Sequence, residues 1–137
     1  LFMNNINIWS GAYWIFFHTF TYNLNENKIN DKNLKLIKIF VNTLINSIPC
    51  EICKVDTVLK FEHLNFNTLK TKKEFVFFFY NFHNYVNKKT RKNNFPIKIL
   101  DKYNNISPLE SLKIIDKHIY KYKLNKDVYR FFKFITS

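Results

Sequence analysis

Cys50-Glu51-Ile52-Cys53 is the segment of this sequence whose residue types and spacing speak most directly of chemistry. Two intervening residues on a helix start bring two sulfurs close enough for a readily exchanged disulfide. Pro49 precedes the pair, and a proline there ends one helix or opens the next, because it lacks the backbone donor and fixes φ. The sulfurs then lie near a helix N-terminus, where the positive end of the macrodipole favours a thiolate. That arrangement suits thiol–disulfide exchange. Three other uses of the cysteines stay open at this point: two small core residues, half of a zinc site, or the motif of a thioredoxin-like fold. The gaps from Cys53 to His63 and His83 do not match common zinc-finger spacing, and no metal is expected. A thioredoxin-like fold needs strands alternating with helices, and no convincing strand pattern is present.

The surrounding elements read as helices. From about Ser10 to Tyr22, Tyr13, Phe16, Phe17 and Phe20 fall around one side, with Trp14 and His18 one turn apart on a neighbouring stripe. Residues Asn23 to Asn33 are polar and read as a loop. Leu34, Ile37, Val41, Leu44, Ile45 and Ile48 then repeat at three and four residues, with Asp31 as the expected N-cap. A third helix begins at Cys50 and runs towards Phe61, and His63 to Thr71 form a connection. A fourth spans about Lys72 to Lys89, with Phe75, Phe78, Phe79, Phe82 and Val86 on its apolar side. After Lys92 the chain turns irregular, with a turn at Phe95 and Pro96. Ser107, Pro108, Leu109 and Glu110 make a capping box with proline at the first helical position. The helix that follows carries Leu112, Ile115 and Ile119, and a last one starts after Asn125 with Val128, Phe131, Phe132 and Ile135. The expected fold is all-α: a four-helix bundle over residues 1–95, with a helical C-terminal extension over 96–137 packed on the same domain.

Composition narrows the function further. A chain of 137 residues with 47% hydrophobic content supports one domain with a real core. Its one glycine, Gly11, cannot build a Gly-rich phosphate loop or a dinucleotide fingerprint. Two cysteines are too few for a disulfide scaffold and enough for one redox pair. The formal charge of +12 is compatible with a nucleic-acid or anionic-membrane partner. However, Lys, Asn, Ile, Phe and Tyr are abundant together and all have AT-rich codons, so genome composition accounts for much of the lysine. Only Lys88, Lys89, Arg91 and Lys92 form a dense basic cluster. No apolar run approaches the roughly 20 residues of a membrane-spanning helix.

Three separated blocks carry a resemblance to the Erv/ALR family of FAD-linked sulfhydryl oxidases. Trp9-Ser10-Gly11-Ala12-Tyr13-Trp14-Ile15-Phe16-Phe17-His18 is similar to W-G-x-x-x-W-x-x-L-H. Ile48-Pro49-Cys50-Glu51-Ile52-Cys53 resembles [LY]-P-C-x-x-C. His83-Asn84-Tyr85-Val86-Asn87-Lys88-Lys89-Thr90-Arg91-Lys92 resembles H-N-x-V-N-x-x-L-G-K. The resemblance implies an FAD held by Trp9, Trp14 and His18 from the first helix. Phe78, His83, Asn84, Val86, Asn87, Lys88 and Lys92 would join them from the fourth, with the basic cluster facing the pyrophosphate. It assigns catalysis to Cys50 and Cys53, Cys50 receiving the substrate thiol and Cys53 lying next to the flavin, with O2 as final acceptor and hydrogen peroxide as product.

The family pattern is not fully kept. Its first-block glycine falls at Ser10, its small residue three after the histidine is Thr21, and Thr90 and Arg91 stand where leucine and glycine usually precede Lys92. Phe78 replaces an aromatic that is usually tryptophan. No second, shuttle cysteine pair is present, which resembles the minimal enzymes of large DNA viruses. The implied partners are a thiol-containing protein or a small thioredoxin-like carrier, and a second copy of the chain in a homodimer. A viral origin implies host cytoplasm or virion, and a cellular one the mitochondrial intermembrane space. Two other readings of the sequence remain at this stage: a basic helical nucleic-acid-binding module, and an Erv-like structural protein without catalysis.

Overall fold

Trp14, Phe16, Phe17 and Phe20 crowd four large aromatic rings into seven residues, and the fold buries the three phenylalanines. The structure, a computed structural model, describes residues 2–118 and 123–137, with side chains from Trp9 to Lys117 and from Lys123 onward. Helix α1 spans Phe2–Tyr22, starting earlier than the apolar periodicity indicates, since no proline or other breaker precedes Ser10. Helix α2 spans Asp31–Asn46. Its N-cap is Asn30 rather than Asp31: Asn30 is extended and its side chain accepts the Asn33 N–H at 2.9 Å, while Asp31 sits in the first turn and complements the macrodipole. Helix α3 spans Glu51–His63 and helix α4 Lys72–Lys89. Thr71 and Glu74 close a reciprocal capping box at the start of α4, which the sequence reading did not pick out.

The segment expected to be irregular after Pro96 is instead a 3-10 helix over Ile97–Asn105, with Leu100 and Tyr103 buried. Its apolar residues recur every three positions, the spacing that a 3-10 helix puts on one face. Helix α5 spans Pro108–His118, and the Ser107 hydroxyl accepts the Glu110 N–H at 3.3 Å at its start. Ile119 lies outside the described residues. Helix α6 spans Lys126–Ile135 and is capped by Asn125. All described secondary structure is helical.

Helix α1 is the element the others share. It packs against α4, α5 and the 3-10 helix, while α2 packs on α3 and α5 on α6. Phe17 stacks on Phe79 of α4 with ring centroids 4.7 Å apart. Phe16 and Phe20 meet Phe132 of α6 at 4.9 and 5.2 Å, both edge-on. Phe61 of α3 stands edge-on to Phe78 and Phe82 of α4. One apolar cluster therefore runs from α1 through α4 to Leu112, Ile115, Phe131, Phe132 and Ile135. The C-terminal end is also tied by polar contacts: Asn25 N–H donates to the Ile135 carbonyl, and Lys28 Nζ to the Phe134 and Ser137 carbonyls. Among the described residues no helix is long and apolar enough to cross a membrane.

Phe132 is fully buried between α1 and α2 aromatics, whereas Phe134 is 48% exposed. Phe132→Ala is expected to cost about 3–5 kcal/mol, and Phe134→Ala less than about 1 kcal/mol. Chemical denaturation of the two variants against the unaltered chain measures the contrast.

Candidate redox site

Cys50 and Cys53 are bonded to each other, with Cα atoms 5.2 Å apart, and no cysteine is free. Cys50 is the N-cap of α3, in an extended conformation, and its Sγ accepts the Cys53 N–H at 3.3 Å. The Cys50 carbonyl accepts from Lys54 N–H, and the Cys53 carbonyl from the Thr57 hydroxyl. Both cysteines are half-buried and pack on the core. Once reduced, the N-cap sulfur would meet the free N–H groups of the first turn, which favour its thiolate. No group of three or more His, Cys, Asp or Glu placed to hold a metal is found among the described residues.

The approach to the disulfide is fixed from α1. Ser47 caps α2 at its C-terminal end and its hydroxyl donates to the Leu44 carbonyl at 2.6 Å. With its one proton so used, Ser47 Oγ accepts from the Tyr13 hydroxyl at 2.6 Å. Tyr13 is buried, which pushes its pKa up to about 12 and keeps it a donor. Pro49 then prevents α2 and α3 from merging, so that Cys50 begins a new helix.

Beside Tyr13, the next α1 residue starts a second assembly. Trp14 stacks on His83 of α4 with centroids 4.1 Å apart and planes 5° from parallel. His18 Nε2 and His83 Nδ1 are hydrogen-bonded at 2.8 Å. Phe95 lies parallel to His18 at 5.1 Å and stacks on His83 at 4.8 Å, and Tyr103 stacks on the His18 ring at 5.1 Å. Burial lowers the His18 pKa to about 3, assisted by the charges of His83 and Lys102. Burial and the Lys92 charge lower His83 to about 4. Both rings are therefore neutral at pH 7, one donating and one accepting. His18 Nδ1 is buried with no hydrogen-bond partner.

Of the residues singled out from sequence, Trp14, His18 and His83 are brought together. Trp9 is buried edge-on against Tyr13, and Phe78 lies in the core among Phe61, Phe66 and Phe82. Asn84 is spent on the chain itself: its Nδ2 donates to the Phe95 carbonyl and its Oδ1 accepts the Phe95 N–H. Val86 is half-buried and its carbonyl accepts from Thr90; Asn87 is buried; Lys88 and Lys92 are exposed. Phe95 and Tyr103 were not anticipated. Phe95 registers in the sequence only as a turn marker before proline, and Tyr103 lies in a stretch without helical spacing.

Helices α3 and α4 are joined by the Asp56–Lys89 ion pair at 2.8 Å and by Lys60 over the Tyr85 ring at 3.8 Å. A C-x-x-C disulfide that caps a helix in an all-helical bundle is an arrangement suited to thiol–disulfide exchange. The sequence pattern of the Erv1 / Alr family matches residues 11–106, and the chain belongs to that family. Membership carries a sulfhydryl oxidase-type function and, typically for the family, FAD binding. Searches among curated proteins and among solved structures find no significant match.

The family's glycine before the third-block lysine acquires a structural reason. Arg91 has φ 60°, Lys92 N–H donates to the Asn87 carbonyl at 2.7 Å and Arg91 N–H to that of Lys88, which is a Schellman end to α4. Left-handed backbone suits glycine and costs an arginine about 1 kcal/mol, so Arg91→Gly is expected to raise the denaturation midpoint. A second expectation concerns acid. Folded His18 and His83 have pKa values below the ordinary 6.5, so the unfolded chain takes up these protons first. Stability is then full above pH 6.5 and falls as the pH drops towards 5, before most carboxylates titrate. Thermal unfolding across that range checks it, and a flat profile would contradict neutral buried imidazoles.

Proposed function

We propose that this chain is an FAD-dependent sulfhydryl oxidase that makes disulfides in a thiol substrate through Cys50–Cys53. The observation that carries the reading is the disulfide itself, capping α3, a helix joined to α4 through Phe61–Phe82, Lys60–Tyr85 and Asp56–Lys89. The residues present fit the cofactor in kind. Trp14, His83 and Phe82 offer flat contact surface, His18 Nδ1 is a buried polar atom still lacking a partner, and Lys88 and Lys92 are exposed cations next to buried Asn87. The Trp14–His83 spacing of 4.1 Å leaves no room for a third ring between them, so a flat cofactor ring would lie against this stack rather than within it. Cys53, Val86, Trp9 and Phe78 complete the proposed surroundings, and Lys88 and Lys92 would face the pyrophosphate.

The protein's own part in the reaction is thiol–disulfide exchange. A substrate thiolate attacks Cys50 Sγ, the Cys50–Cys53 bond breaks, and Cys53 leaves with the electron pair as a thiolate. The second substrate thiol attacks the mixed disulfide; the substrate departs oxidised and Cys50 Sγ is released. The Cys53 N–H bond to Cys50 Sγ and the free N–H groups of the α3 start stabilise that departing sulfur. When bound, FAD would supply the acceptor for the two electrons, with O2 as the final oxidant and hydrogen peroxide as product. Neutral His18 and His83 add no charge beside the proposed flavin site, and the Tyr13–Ser47 bond holds the turn that presents Cys50. The balance is two substrate thiols and one O2 consumed, one disulfide and one hydrogen peroxide formed.

The purified chain is expected to retain FAD, visible as flavin absorbance, and to consume O2 in the presence of dithiothreitol. Cys50→Ser and Cys53→Ser should each abolish O2 uptake while leaving the far-ultraviolet helical signal intact. A correctly folded, flavin-free protein that stays so after incubation with FAD would sink the proposal.

A further inference from the structure

Helix α3 turns Phe61 into the core and leaves an apolar stripe on the opposite side. Ile52 is 83% exposed, Val55 51% and Leu59 59%. At 100° per residue these three fall within an arc of roughly 60°, and the stripe runs about 10 Å along the helix from the redox motif. Ile52 sits between the two cysteines. Ile52 belongs to the redox motif itself, so a polypeptide that brings a sulfur to Cys50–Cys53 has its neighbouring residues within reach of the Ile52, Val55 and Leu59 stripe. The charges beside the stripe also have a sign. Glu51 is paired with Lys54 at 3.0 Å and Asp56 with Lys89 at 2.8 Å, while Arg91, just past the adjoining end of α4 and not among the residues proposed to hold FAD, is exposed and in no ion pair among the described residues. The acidic groups nearest the disulfide are thus neutralised within a chain of net charge +12, so an approaching substrate meets a positive field.

We infer that the Ile52–Val55–Leu59 face is the docking surface for the thiol substrate, and that its occupant is an acidic polypeptide with apolar residues beside its cysteine pair. This rests on the oxidase reading and adds the substrate class to it. The exchange is the one already balanced: the peptide dithiol becomes a disulfide, Cys50–Cys53 becomes a dithiol, and O2 is the final oxidant through FAD. A small dithiol such as dithiothreitol needs no such face, so it separates docking from chemistry.

The test uses the FAD-loaded full chain and two reduced synthetic peptides with the same Cys-x-x-Cys centre. One has leucine, phenylalanine and glutamate flanks; the other has serine and lysine flanks. The first is expected to show a kcat/KM higher by about tenfold or more, with the advantage shrinking in high salt. Val55→Ser combined with Leu59→Ser should remove most of that advantage through KM, with kcat and the dithiothreitol rate unchanged. Equal kcat/KM for the two peptides, or no response to the double substitution while dithiothreitol is still oxidised, would overturn the docking inference alone. Failure of the wild type to oxidise dithiothreitol would overturn the oxidase reading and this inference with it. A concentration-dependent doubling of mass, abolished by the double substitution, would assign the stripe to a second copy of the chain and also overturn it.

Discussion

The seam between α1 and α4 is the contact on which the rest of the molecule depends. Phe17 on Phe79, Trp14 on His83 and the His18–His83 hydrogen bond lie along it, roughly one helical turn apart. The apolar part of the seam holds the bundle together. Its histidine part must be kept neutral, because two charged imidazoles at hydrogen-bond distance in a buried site would repel and could not share one proton-mediated bond. Stability and the proposed flavin surroundings therefore draw on the same residues. A change that loosens the seam would disturb the fold before it altered any single proposed contact to the cofactor.

One turn of α1 links that seam to the redox pair. Tyr13 reaches Ser47 at the end of α2, and Trp14 reaches His83 on α4. Adjacent residues on a helix point about 100° apart, so this single turn touches both the approach to the disulfide and the ring stack. Pro49 and the Cys50 cap then set where α3 starts. The disulfide is thereby positioned by secondary-structure boundaries, with side-chain hydrogen bonds reinforcing them.

Much of this was legible in the sequence because it rests on periodicity and capping. The span of α4 and the starts of α3 and α6 follow from apolar spacing, Pro49 and the position of Asn125. The N-cap of α2 was misplaced by one residue because Asn30 and Asp31 are both good caps and only backbone geometry separates them. The 3-10 helix over 97–105 was hidden because its three-residue repeat does not match a helical 3.6-residue period, and with it went Tyr103. Phe95 was invisible as a site residue because its placement depends on Asn84, a long-range pairing that no local pattern encodes. Arg91 was noticed as a departure from the family's glycine, yet only its positive φ explains why glycine is usual there.

The central claim is that Cys50–Cys53 and a bound flavin form one electron path within this chain. Anaerobic addition of dithiothreitol to the FAD-loaded protein, followed by visible absorbance, tests it most directly. The account predicts rapid bleaching of the flavin band in the wild type and none on the same timescale in Cys53→Ser. Equal bleaching in both proteins would show that electrons reach the flavin without the disulfide and would contradict the account.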